Sequence, residues 1–438
     1  MLNGLQWIVR GALLLLGAVT LLWAVSRWMP LPVAQQQALA LMDQPAHFDG
    51  DNAFDALWLL DFDDVPDAAR SGLIAEDGRR IAEIANTPLG SAEDDATVMA
   101  PVLRSALGRY PQVASMDVVC NWSEGDCLER VRQAPAALET ALQSQQALLA
   151  RIAALSAYDH YQNPFVADGR APLPALGLLQ RSTTAHALAH VQGNSASALA
   201  GICNDTRTAR MLMSRSDALV TTVFGAAMVR GNVLLLAEIL AELPVDQPLP
   251  AACEGVFTTP APEQLSMCTA MRGEFRMVSR AGPDAGQAMS FLVWDAHKTK
   301  AWTAQRLQGA CLAESERALA NDQALAWQVS PQPLLRLECV ANAMGCVISE
   351  IAGPSYVGYT WRLQNAGASL RVAEALLWLR AHPQSGADEG LAAMPAAVRG
   401  QARPLRVDTQ GRQLQVALYG KPGTDDWFSV PLPASRLP

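Results

Sequence analysis

Two histidines four residues apart are the first residues here whose types and spacing could do chemistry. His186 and His190 stand in TTAHALAHVQ. On a helix, positions i and i+4 share one face, which is the spacing of two metal ligands. The residues between them are Ala187, Leu188 and Ala189. The glutamate of an H-E-x-x-H site is therefore missing, and no third ligand is evident. His186 and His190 stand as weak metal candidates only, solvated or helix-packed histidines being the simpler account. The expectation is a chain without metal or cofactor.

The carboxylates form the second candidate set. Asp61, Asp63, Asp64 and Asp67, with Asp49, Asp51, Asn52 and Asp55 before them, resemble fragments of a calcium loop. Neither fragment combines the turn glycine with the closing glutamate that such a loop uses. Helix capping and an acidic first turn explain Asp51, Asn52, Asp64 and Asp67 more simply. A carboxylate pair for glycoside hydrolysis is open in principle, but with 42 acidic residues nothing selects one. No G-x-S-x-G elbow, S-x-x-K pair or phosphate-binding glycine loop occurs. Residues 420–423 are too short for such a loop. Tyr356, Tyr359 and Trp361 could line a groove, although core packing explains them as well.

Charge adds a partner expectation. The net charge is −9, and the only lysines are Lys298, Lys300 and Lys421. No basic stripe offers a phosphate footprint, which argues against a nucleic-acid partner. Residues 43–95 carry fourteen Asp or Glu against three Arg, a local net of −11. This is either a solvated acidic face or a surface for a basic protein partner, with Asp61, Asp63, Asp64 and Asp67 at its centre.

The elements that must position these residues begin with an anchor. Residues 11–25 are uncharged and are bracketed by Arg10 and Arg27. With residues 5–9 added, the apolar stretch is long enough to span a bilayer, and Trp7, Trp23 and Trp28 fall near its ends. Residues 5–28 are thus expected to cross a bacterial inner membrane once. The sparse positive charge puts the N-terminus inside and the bulk in the periplasm. A signal peptide cleaved near Ala24-Val25-Ser26 is the rival. Bulky Trp28, Met29 and Pro30 after that point favour an uncleaved anchor. Residues 218–229 form a second apolar run, too short to span, and read as a core helix.

The eight cysteines fit an oxidising compartment. Cys120/Cys127 and Cys339/Cys346 share a C-x6-C spacing, and each pair could close a short loop. Cys253 with Cys268 could close a third, leaving Cys203 for Cys311. Eight cysteines allow 105 pairings, so the connectivity stays open. Zinc-type C-x2–4-C pairs and a C-x-x-C redox motif are absent.

Helical periodicity dominates the rest. Phe54, Leu57 and Trp58 share a face, and Pro66 opens a helix over residues 66–85. Residues 127–156 carry Leu138, Leu142, Leu149 and Ile152 along one face, divided or kinked at Pro135. Residues 172–243 are helical, with Gly193-Asn194, Asn204-Asp205 and Gly231-Asn232 as candidate turns or caps. Residues 244–262 are a Pro-rich linker or irregular loop. Helical pieces follow near 262–272, 301–320 and 365–382. Runs at 405–407, 414–418 and 427–432 alternate like strands.

Several segments carry a resemblance: LSAYDHYQNP, PLPALGLLQ, RTARMLMSRSDALVTTVFGAAMVRGNVLLLAEIL, AMRGEF, LRVAEALLWLR, VDTQGRQLQVALYG and FSVPLP. Together they resemble an uncharacterised proteobacterial family of single-anchor inner-membrane proteins with a helical periplasmic body. The likeness covers about two thirds of the chain beyond the anchor and leaves residues 43–95 outside. It implies architecture and location; the family has no assigned activity to transfer.

The expected fold is mainly α: antiparallel helix pairs with a small C-terminal β-element, after one transmembrane helix. The expected divisions are residues 1–29 (anchor or signal peptide), 30–115 (acidic helical region), 116–245 (helical core domain) and 246–438 (C-terminal α+β domain, its sheet within 404–432). The expected function is a membrane-anchored periplasmic protein-binding module without catalytic activity. An immunity protein against a periplasm-acting toxin and an envelope assembly factor both fit. The alternatives are a hydrolase of peptidoglycan or lipid and a structural subunit of an envelope complex.

Overall fold

The N-terminal apolar run folds as one helix, α1 (Leu2–Trp28). Its stretch Gln6–Trp28 contains an 18-residue apolar window of mean hydropathy 2.1, none of which is buried by the rest of the chain. By length and composition it can cross a membrane. The computed structural model describes residues 2–86, 103–117, 119–280, 290–325, 336–352, 356–384, 386–408, 410, 412–420 and 426–433. Glu93, Asp94 and Asp95 of the acidic stretch lie outside the described residues, as does Lys421.

The acidic region supplies α2 (Val33–Met42), α3 (Phe54–Trp58) and α4 (Asp67–Ala85). Phe54, Leu57 and Trp58 are all buried, as their spacing requires. The next segment is broken twice, not once: α5 (Cys127–Gln133), α6 (Pro135–Gln143) and α7 (Gln146–Ala154). The second break lies at Ser144-Gln145. There the buried Gln145 accepts from Arg181 and donates to the Ala114 carbonyl at 3.2 Å. Downstream of that break the inward position passes from Leu149, which is half-buried, to Leu148, which is 1% exposed.

The core is built on α8 (Gln180–Val191), α9 (Ser195–Ser214) and α10 (Leu219–Glu242). Helix α10 is apolar on all sides and passes the same length and hydropathy test as α1, but 67% of its apolar window is buried. That is the mark of a core helix. Gly193 takes φ +87° and Asn194 caps α9 by accepting from Ser197 N, so this turn falls where expected. Asn204-Asp205 and Gly231-Asn232, by contrast, lie inside α9 and α10. Asn232 is fully buried. Gly231 is there for close approach: a Cβ would lie 2.2 Å from Trp122 Cδ1.

Beyond the Pro-rich segment come α11 (Cys268–Val278), α12 (Ser290–Val293), α13 (Ala296–Leu307), α14 (Ala313–Ala320), α15 (Leu337–Val340), α16 (Ala343–Ala352), α17 (Val357–Ala381), α18 (Ala387–Ala393) and α19 (Ala396–Arg399). The chain ends in a three-stranded antiparallel sheet, β1 (Arg406–Val407), β2 (Gln413–Ala417) and β3 (Trp427–Pro431), in the order β1-β2-β3. Leu414, Val416, Phe428 and Val430 alternate inward onto the helices. Asp322 pins this end of the molecule, holding Arg403 at 2.5 Å and Arg371 at 3.0 Å. The fold is thus mainly α with a small C-terminal β-element. One contiguous apolar core runs from Ala38 to Leu432, across both positions at which the sequence divides the body. A small satellite of Trp302, Cys339 and Cys346 stands apart from it.

All eight cysteines lie at disulfide distance. Cys120–Cys127 and Cys339–Cys346 close short loops as their spacing implies. The other two pairs, which the sequence leaves open, are Cys203–Cys253 and Cys268–Cys311, and not the Cys253–Cys268 loop that spacing alone allows. The reason lies in the path of the Pro-rich segment. Cys253 rests on α9, where Arg210 also reaches the Val256 carbonyl at 3.0 Å. The chain then crosses to α17, where Thr259 N donates to Glu374 at 2.7 Å. Cys268 therefore emerges away from Cys253 and opens α11, beside the turn holding Cys311.

Candidate functional site

The two histidines do not converge on a common ligand position. His186 Nε2 lies 2.9 Å from the buried Asp205 Oδ2, on the neighbouring helix α9. His190 faces elsewhere: Nδ1 is 2.9 Å from Ser195 Oγ, and Nε2 is 3.0 Å from Glu242 Oε2. Among the described residues no group of three His, Cys, Asp or Glu side chains is placed to hold a metal ion.

The second histidine completes a polar line that the sequence does not reveal. Arg132 grips Glu242 at 2.6 and 2.7 Å; Glu242 meets His190; His190 meets Ser195. Burial would raise the Glu242 carboxyl, but hydrogen bonds from Arg132 and His190 outweigh it and hold it below its ordinary value. Serine, imidazole and carboxylate in line have the composition of a nucleophile relay. The line also joins three element ends, those of α8 and α10 and the start of α9. The serine is the first residue of α9, directly behind the Asn194 cap. A pin between helix ends needs nothing more from these residues.

The acidic candidates separate into two kinds. Asp61 is held inside the molecule. Arg104 donates to it twice at 2.8 Å, gives a further bond to the Trp58 carbonyl, and lies 4.9 and 4.7 Å over the Trp58 and Phe62 rings. Asp63 accepts from Arg151 at 2.8 Å. Asp64 and Asp67 are exposed. Asp64 adopts φ 59°, a left-handed turn conformation that Asp tolerates, and Asp67 pairs with Arg70 one turn on. The centre of the acidic stretch thus presents two of its four carboxylates to solvent.

The concave feature best suited to a partner lies elsewhere, where α10, α17 and the Cys120–Cys127 loop meet. It encloses about 420 Å³. Trp122, Val223, Phe224 and Ala366 form its apolar wall, and Gln180, Arg230 and Arg362 its polar rim. The short disulfide loop positions Trp122. Its indole Nε1 donates to Thr183 Oγ1 at 3.0 Å and its ring meets Phe224 edge-on at 6.2 Å. Arg230 leans over Phe428 at 5.7 Å and Arg362 over Tyr359 at 5.0 Å. Among the described residues neither guanidinium has a carboxylate within ion-pair distance, and Arg230 Nε is buried without a partner. Burial lowers the Arg230 pKa, with Asp426 opposing. The cleft therefore combines an aromatic wall with two guanidiniums that form no ion pair among the described residues. Sequence spacing could not assemble it, because Trp122, Arg230 and Arg362 lie on three separate segments.

Of the aromatic set near residue 360, Tyr356 donates to Glu274 at 2.9 Å and Trp361 to the Leu325 carbonyl at 3.1 Å. Both serve packing between segments. Comparison of the chain with protein-family models, with curated proteins and with solved structures finds no match.

Proposed function

We propose that this chain is a membrane-anchored protein-binding module without catalytic activity, its body on the oxidising side of a bacterial inner membrane. Four disulfides support the compartment. The resemblance to single-anchor inner-membrane proteins points the same way. Retention of α1 is supported by its last turns, which are built into the body. Ser26 is fully buried, its hydroxyl accepts from Ala341 N at 3.0 Å, and its carbonyl accepts from Lys298 Nζ. Cleavage at Ser26 would remove the segment that makes these bonds.

The observation that carries the binding function is the cleft. Trp and Arg are the residues most enriched where partner proteins gain their affinity. Two guanidiniums without an ion pair among the described residues, beside an aromatic wall, fit a partner segment that inserts a carboxylate next to an apolar side chain. An immunity protein and an envelope assembly factor both need this much and no catalytic group.

The test uses the full chain, tagged and recovered from its own envelope in mild detergent. The natural chain is expected to retain one stoichiometric protein partner. Arg362→Glu, at an exposed position, should weaken that retention by about 2 kcal/mol, roughly thirtyfold. Retention indifferent to Arg362→Glu would move the binding surface off the cleft.

The hydrolase alternative draws on the Ser195–His190–Glu242 line. If that line is a pin, Ser195→Ala leaves partner retention unchanged and lowers stability by about 1 kcal/mol. Turnover of cell-wall or lipid substrates by the natural chain, abolished in Ser195→Ala, would establish the hydrolase instead.

A further inference from the structure

The C-terminal turns of α1 are held by a platform whose outer face is apolar and exposed among the described residues. Trp23 Nε1 donates to the Leu292 carbonyl at 2.7 Å, and its ring packs on Phe291 at 5.4 Å. Arg27 donates to the Trp294 carbonyl at 2.8 Å and pairs with Asp295 at 3.4 Å. Ser26 is bonded to Ala341, just past α15. The Cys339–Cys346 disulfide then ties α15 to α16.

Helix α16 shows two unlike faces. Inward, it lies on α13. Cys346 and Ser349 are buried, Glu350 pairs with Arg306, and a Cβ on Gly345 would sit 1.9 Å from Thr299 Oγ1. Outward, Met344, Val347, Ile348 and Ile351 follow one another at i, i+3, i+4 and i+7. They are 41%, 40%, 49% and 76% exposed. Phe291 and Leu292 add 53% and 45% exposure beside them. Grouped apolar side chains of this size are uncommon on a free protein surface.

We infer that this face rests on the lipid bilayer: residues 290–293 and α16 form a monotopic element that docks the body onto the membrane around its own anchor. The inference rests on the proposed reading of α1 as a membrane anchor. Geometry along α1 then commits the occupant. The 23 residues of Gln6–Trp28 measure about 34 Å, slightly more than the ~30 Å of hydrocarbon they would cross. Trp23 lies five residues before the helix end, about 7–8 Å along the axis. Phe291 and Leu292, packed against Trp23, are therefore held at the depth of the membrane interface or just inside it. Aromatic and aliphatic side chains belong there, and a helix lying in that plane buries its apolar face in the acyl boundary. The rigid ties between α1, α15 and α16 carry the exposed face of α16 to the same boundary.

The test places a photo-reactive p-benzoylphenylalanine in the full chain, reconstituted into phosphatidylethanolamine–phosphatidylglycerol vesicles. It replaces Ile348 or Ile351, with Leu14 on α1 and Glu139, exposed on α6, as reference positions. Lipid adducts are then read by mass spectrometry. The expected result is adduct formation at Leu14, Ile348 and Ile351, each at least about tenfold above Glu139. Adducts at Leu14 with only the Glu139 background at Ile348 and Ile351 would overturn the inference and leave the anchor standing. Crosslinks from Ile348 or Ile351 to a second copy of the chain would do the same, and would make the face a dimer surface. Absence of lipid adducts at Leu14 would overturn the anchor reading, and the docking inference with it.

Discussion

Asp61→Asn will destabilise the body by about 3 kcal/mol, the cost of leaving a buried cation without its counter-ion. The Asp61 and Arg104 side chains are 16% and 9% exposed, and the pair is bidentate. Arg104 retains the Trp58 carbonyl and two aromatic faces in the variant, which places the loss toward the lower end of the range for broken buried pairs. Asp63→Asn will cost about 1 kcal/mol, since its pair with Arg151 is partly solvated. Asp67→Asn will fall within about 0.5 kcal/mol, as exposed substitutions do. The measurement is the denaturant midpoint of the full chain in detergent. Asp61→Asn combined with Arg104→Met should recover much of the loss, because removing both charges leaves none buried and unpaired. Equal midpoints for Asp61→Asn and Asp67→Asn would show that the Arg104 pair is solvated and does not hold the region together. A binding assay on neutralised aspartates thus has to separate lost folding from lost contact. Asp64 and Asp67 are the positions at which it can.

Local periodicity was enough to read many of the helices in this sequence, though not α12, α15, α16, α18 or α19, and it could not supply long-range pairing. The helix over residues 66–85, the burial of Phe54, Leu57 and Trp58, and the three closing strands all follow from side-chain spacing within one segment. The misplaced features depend on a second segment. Leu149 yields its inward place to Leu148 because Gln145 breaks the helix to reach Arg181 and Ala114. Gly231 reads as a turn in isolation; its reason is the Trp122 ring against the helix. Asp61 reads as surface because the acidic run is hydrophilic, and only Arg104, 43 residues away, draws it inside. The same limit hid the cleft and the Ser195–His190–Glu242 line. His190 was visible from its spacing to His186, yet its partners come from the start of α9 and the end of α10.

The disulfides turn this distinction into the second large effect. A crosslink stabilises chiefly by restricting the unfolded chain, more so for a longer loop. Cys203–Cys253 spans 50 residues and Cys120–Cys127 only 7. The chain-entropy relation gives about 4 kcal/mol for the first and about 2 kcal/mol for the second. The double variant Cys203→Ser/Cys253→Ser is therefore expected to lose roughly twice what Cys120→Ser/Cys127→Ser loses, read again as denaturant midpoints. The cysteines of both pairs are buried, so the serine hydroxyls add a similar desolvation cost to each variant and the difference between them is left to the loop lengths. The short loop has a separate consequence, because it holds Trp122 in the cleft. Cys120→Ser/Cys127→Ser should weaken partner retention more than its small stability loss accounts for. The long-loop variant should retain the partner fully wherever it remains folded. If the two double variants reverse this order, with the long-loop variant losing the partner while folded, then the partner sits on the α9 side of the molecule, where Cys253 and the Pro-rich segment lie.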